Sequence, residues 1–142
     1  MTVPGPVEVA AFEAANSRAY LSAVFAAWAE GQTVMALPEG AGRRTVPGTI
    51  VRSRDSFAPD PGWFEADLPA RAPEERALIA FSSGTTGRPK AILLQHRALG
   101  DVVGRINTAM GVDDTIREYL GVPVTYSFGF GRARAIAAAG GR

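Results

Sequence analysis

The chain has 142 residues, 46% of them hydrophobic and 20% charged, with a formal net charge of +1. That length suits one ordinary domain with an enclosed apolar core, and the balance of charge gives no case for binding nucleic acid or a membrane surface. The absence of cysteine excludes disulfides, thiolate metal sites and a cysteine nucleophile, and it fits a reducing, cytoplasmic setting.

Residues 1–6 lack the basic flank and apolar run of a secretory signal, and no apolar stretch is long enough to span a bilayer. A short buried strand is expected over 7–12. Asn16 or Ser17 offers an N-cap for a helix running to about residue 30. In that helix Tyr20, Leu21, Val24, Phe25 and Trp28 recur at helical spacing and form one apolar face, and Gly31 supplies a left-handed stop. A β-prone run over 33–37 follows, so strand, helix and strand with short joints predict a parallel α/β layer.

Residues 38–48 are loop material, and 49–52 offer another short strand. The proline-rich, acidic stretch 55–74 reads as an irregular surface crossing, pinned to the core by Trp63 and Phe64. A compact apolar run at 77–81 predicts a buried strand, and 91–94 makes a second strand. A helix from about His96 to Met110 should carry Leu99, Val102, Val103, Ile106 and Met110 on one face and end at Gly111. A turn at Asp113-Asp114, a strand over 119–122 and a glycine-bearing loop over 127–131 follow, and 132–139 favour helix by propensity.

The informative stretch lies between the two apolar runs: Ser82-Ser83-Gly84-Thr85-Thr86-Gly87-Arg88-Pro89-Lys90. Its glycines let the backbone turn tightly and bring N–H groups close to a ligand. The neighbouring hydroxyls add donors suited to phosphate oxygens, and Lys90 adds a point charge. A Walker A loop does not fit, because that motif needs four residues between its glycines and a Lys-Ser/Thr pair opening a helix. Here only Thr85-Thr86 separate Gly84 from Gly87, Ala91 follows Lys90, and the next segment reads as a strand.

Phe81 through Lys90 resembles, without a gap, the phosphate loop of the adenylate-forming superfamily, which includes acyl-CoA synthetases, luciferases and the adenylation domains of peptide synthetases. Residues 16–38, His96-Arg97-Ala98-Leu99 and the run from Pro123 to Gly131 resemble further segments of those enzymes. Three positions depart from the family pattern: Ala91 stands where Gly is usual, Gln95 where Thr or Ser is usual, and Tyr126 where His is frequent. His96 reads as a helix-start residue rather than a catalytic base.

The resemblance implies an α/β fold, part of a three-layer α/β/α domain with a mostly parallel sheet. It implies ATP, with magnesium, as the nucleotide, held through its β- and γ-phosphates by Ser82, Ser83, Gly84, Thr85, Thr86, Gly87 and Lys90. Tyr126, Phe128 and Gly129 would border the acyl pocket. The implied reaction activates a small carboxylate as an acyl-adenylate and passes the acyl group to a thiol, such as coenzyme A or a carrier's phosphopantetheine. Family members are several times longer, and their later motifs are not found in the chain. Residues 1–142 are therefore expected to be an incomplete N-terminal domain, inactive alone, as a fragment, a split subunit needing a complementary chain, or the product of a broken reading frame. The alternatives are a non-catalytic nucleotide-binding or interaction module and an inert remnant. The sequence singles out no catalytic side chain and no metal-ligand set.

Overall fold

The structure, a computed structural model, describes residues 5–41, 46–82, 84 and 87–142. Its elements are Val7–Glu13 (β1), Arg18–Ala29 (α1), Thr33–Leu37 (β2), Thr49–Ser56 (β3), Arg76–Phe81 (β4), Ala91–Gln95 (β5), His96–Met110 (α2) and Ser127–Ala138 (α3). The strands form one sheet in the order β3-β1-β2-β4-β5. β1 pairs in parallel with both β2 and β3, β2 pairs in parallel with β4, and β5 alone runs antiparallel, against β4. The expected α/β architecture with a mostly parallel sheet is present.

Alternation along the strands sorts the core into two clusters. Ala10 and Phe12 of β1, Val34 and Ala36 of β2 and Leu78 of β4 face α1, α2 and α3 on one side. Val9, Ala11, Met35, Leu37 and Ile79 face the other way, where Val7, Ala41, Val46, Val51 and Phe81 pack against them. Central strands buried on both faces must be apolar at consecutive positions, which is why β1 and β2 read as continuous runs.

Ser17 caps α1, its hydroxyl accepting the Tyr20 N–H at 3.0 Å. Gly31, at φ 77°, turns the chain out of the helix into β2. The predicted apolar face of α1 is buried throughout, and the Trp28 indole N–H donates to the Ala77 carbonyl at 2.8 Å, tying α1 to β4. α2 ends at Gly111 in the left-handed conformation, as expected, and Gln95 makes no side-chain cap at its start. Its apolar face is narrower than the sequence predicts: Leu99 and Val103 are buried, whereas Val102 and Met110 are exposed.

Four other expectations change. β3 runs on to Ser56 despite its charged residues, because an edge strand leaves one face and one row of backbone groups to solvent. Residues 119–122 form no strand; the Asn16 side chain takes the carbonyls of Leu120 and Val122, so they enter no sheet ladder. Residues 127–131 are not a loop but the first turn of α3. In the 55–74 crossing Phe64 packs edge-on against Phe25, with ring centroids 5.6 Å apart, but Trp63 is 62% exposed and is not among the described residues packed on the core. Phe57 joins the core in its place, meeting Phe12 and Tyr20 edge-on. Among the described residues no helix is long and apolar enough to cross a membrane.

Candidate functional site

β1, β2 and β4 are parallel, so their carboxyl ends share one edge of the sheet, where open α/β sheets hold their ligands. The 82–90 segment leaves β4 at that edge and returns as β5. Its neck is closed by two hydrogen bonds, the Ser82 N–H to the Lys90 carbonyl and the Lys90 N–H to the Ser82 hydroxyl oxygen, each 2.9 Å. The Ser82 hydroxyl keeps its own proton for donation.

Within the loop the Gly87 N–H donates to the Gly84 carbonyl at 2.8 Å. Gly84 sits at φ 66°, and a Cβ there would lie 2.9 Å from the Pro89 nitrogen, so only glycine allows the two halves of the loop to approach so closely. Gly87, at φ 99°, has open space where a side chain would be. The amides of Gly84 and Arg88 enter no hydrogen bond among the described residues. Lys90 is exposed and takes part in no ion pair among them. Ser83, Thr85 and Thr86 lie outside the described residues.

A pocket of about 200 Å³ opens beside the loop, lined by Ala36, Pro38, Phe81, Ser82, Pro89, Thr125 and Tyr126. It brings both ends of the glycine-rich loop against the 123–126 segment, which lies more than thirty residues further along the chain. Of the three residues expected at an acyl site, Tyr126 reaches this pocket. Phe128 is exposed in the first turn of α3, and Gly129 is buried against the carbonyl of Pro123. Thr125, Ala36 and Pro38 lie within segments that resemble the family, but none of them was singled out as a site residue. Ala36 and Pro38 come to the pocket because a parallel sheet gathers the ends of β2 and β4 at one place, and Thr125 comes from the turn that precedes α3.

His96 lies away from this chemistry. Its ring meets Trp28 edge-on at 5.3 Å, and its backbone N–H donates to the Glu75 carbonyl. Burial is the main reason its pKa falls below the ordinary value of 6.5; Arg71 and Arg134 lower it further, and Glu75 opposes. A larger hollow of about 760 Å³ between α1, residues 59–64, residues 117–121 and α3 includes no residue of the loop, nor Thr125 or Tyr126.

The family model described as AMP-binding enzyme matches residues 9–141. Among curated proteins, nonribosomal peptide synthetase 8 of Aspergillus fumigatus is 30% identical over 76 residues, which are 54% of this chain and 1% of that protein. Pyochelin synthetase PchF of Pseudomonas aeruginosa is 34% identical over 59 residues, 42% of this chain and 3% of that protein. Among solved structures, ATP-bound MatB from Rhodopseudomonas palustris superposes with a TM-score of 0.69 at 19% identity, over 98% of this chain and 35% of that one. A malonyl-CoA ligase with methylmalonyl-CoA and AMP bound gives 0.63 at 19% identity, over 94% of this chain and 33% of that one. The chain thus spans about a third of the solved structures it resembles and a few per cent of the curated relatives it matches. With the match running from β1 to the residues just after α3, the chain belongs to the AMP-binding enzyme family.

Proposed function

We propose that these residues are part of the large N-terminal domain of an ATP-dependent carboxylate-activating ligase, and that the 82–90 loop grips the nucleotide's phosphates. The observation that carries the reading is the pocket itself. The neck of the loop, through Ser82 and Pro89, forms one wall, and Thr125 and Tyr126 form the other. A phosphate tail on the loop would therefore lie next to an aromatic-walled space that can receive a second, small reactant.

Bound as its magnesium complex, ATP would supply a phosphorus electrophile that a carboxylate attacks to give an acyl-adenylate and pyrophosphate, after which a thiol such as coenzyme A or a carrier's phosphopantetheine takes the acyl group and AMP leaves. The residues of this chain act in that scheme by position and charge. The amides of Gly84 and Arg88 and the Ser82 hydroxyl proton are donors for phosphate oxygens, and Lys90 neutralises charge that gathers on the departing pyrophosphate. The hydrogen bond from the Gly87 N–H to the Gly84 carbonyl holds these two parts of the loop together before binding, which lowers the ordering cost for their donors. Ser83, Thr85 and Thr86 would add hydroxyl donors to the same grip. Tyr126 would shape the acyl side. The bound ligands of solved structures with the same fold, ATP in MatB and methylmalonyl-CoA with AMP in a malonyl-CoA ligase, support this assignment.

Calorimetric titration of the 142-residue chain with magnesium-ATP tests it. Lys90→Ala removes a charge-assisted contact, so affinity should fall by about tenfold or more. Equal affinity in the two proteins would end the phosphate role assigned to Lys90.

A further inference from the structure

Asn16 lies in the joint between β1 and α1, more than a hundred residues from the segment it touches. Its Nδ2 donates to the carbonyls of Leu120 and Val122 at 3.0 and 2.9 Å, and its Oδ1 accepts the Val124 N–H at 3.0 Å. Both donors and the acceptor are matched, so the amide has one orientation here; reversing it would set oxygen against carbonyls. The other side of the strip is held by α3. A Cβ on Gly129 would come within 2.5 Å of the Pro123 oxygen and 3.0 Å of the Val122 oxygen, so that turn of helix rests directly on the strip's backbone. Immediately beyond it, the Tyr126 N–H closes on the Pro123 carbonyl at 3.3 Å, and Thr125 and Tyr126 face the phosphate loop across the pocket.

We infer that Asn16 is a positioning residue for this pocket: it clasps 120–124 so that Thr125 and Tyr126 stand at a fixed distance from Ser82 and Pro89. The inference rests on the reading of the pocket as a nucleotide-linked site. Residues 120–124 have no ladder of their own, so the three bonds to one side chain replace the sheet contacts that would otherwise fix an extended strip. No other side chain makes the same set. Asp keeps the acceptor but turns a second oxygen on two carbonyls, Gln displaces the amide by a methylene, and Ser has one donor.

Residue-resolved amide exchange and magnesium-ATP titration of the full chain, wild type against Asn16→Ala and Asn16→Asp, test the clasp. In Asn16→Ala the Val124 amide should exchange about tenfold faster, while amides of β1, β2 and β4 change by less than about twofold. In Asn16→Asp, Val124 should stay protected because its acceptor remains, which separates the clasp from a general loss of packing if the alanine variant fails to fold. Magnesium-ATP should shift the amides of Gly87, Arg88 and Lys90 and of 125–126 in the wild type, but only those of Gly87, Arg88 and Lys90 in Asn16→Ala. Unchanged Val124 exchange, a uniform acceleration across the sheet, or a retained response at 125–126 in Asn16→Ala would each overturn the inference. A wild type in which magnesium-ATP moves neither set overturns the nucleotide reading and the positioning role with it, and exchange at Val124 then still decides whether the clasp itself exists.

Discussion

Gly129 and Gly131 stand two residues apart in α3, and their surroundings give them opposite expectations. A methyl group on Gly129 would strike the backbone oxygens of Pro123 and Val122, which cannot swing aside as a side chain can. Gly129→Ala should therefore lose about 1–3 kcal/mol through displaced backbone, seen as a fall of several degrees in the thermal midpoint. At Gly131 the same methyl would meet the Ile106 Cδ1 at 3.7 Å and an Arg134 nitrogen at 3.8 Å, both ordinary contacts. Gly131→Ala should leave the midpoint unchanged or raise it, because alanine gains up to about 1 kcal/mol over glycine inside a helix. Calorimetry on the two variants distinguishes a glycine required by close approach from one that is merely tolerated. A comparable loss in both would mean that α3 does not sit on Pro123 as described.

The helices differ in how their polar residues are satisfied. Residues Gly129–Ala137 of α3 are buried without a break, including two arginines. Arg132 forms a two-pronged pair with Glu118, whose carboxylate holds the guanidinium firmly charged. Arg134 has no carboxylate partner among the described residues; it donates to the Leu99 carbonyl at 2.8 Å and lies over the Phe130 ring, and burial brings its pKa down to about 10. Removing the partner of a buried ion leaves an uncompensated charge. Glu118→Ala should thus cost roughly 3 kcal/mol, against little or nothing for Glu8→Ala in the exposed pair with Arg52. Denaturant unfolding of the two variants compares the costs, and equal losses would refute the distinction. These features explain what sequence reading could reach. β1, β2, β4 and α1 were legible because apolar runs and period follow directly from two-sided or one-sided burial, whereas β5 was legible from its apolar run although most of it is exposed. The start of α3 was not, since Ser127-Phe128-Gly129-Phe130-Gly131 looks like a turn until the neighbouring backbone that requires Gly129 is known. Nor was the fate of 119–122, whose apolar residues suggest a strand but whose carbonyls are taken by one distant asparagine. At the candidate site, the glycine-rich loop stands out by its residues and spacing, whereas Ala36 and Pro38 become neighbours of it through the order of the strands and Thr125 through the turn that precedes α3.

Among the described residues the sheet ends in β3 on one side and β5 on the other, and the two edges are unlike. β3 carries Arg52, Arg54 and Asp55, with Arg52 paired to Glu8, and such charges discourage a second sheet from joining. β5 is Ala-Ile-Leu-Leu-Gln, and its Ile92 and Leu93 remain 46% and 48% exposed. That edge should template association at high protein concentration, and Leu93→Lys should suppress light scattering while shifting the melting midpoint by little. Unchanged scattering in the variant would move the liability elsewhere. The bond from Asn16 to residue 124 also sets an order of events during synthesis. β1, α1 and β2 can associate as soon as they emerge from the ribosome, but the wall carrying Tyr126 cannot be latched before the chain has grown past Val124. A nascent chain therefore passes through a stage in which its glycine-rich loop has already been made while the opposite side of its pocket still hangs loose.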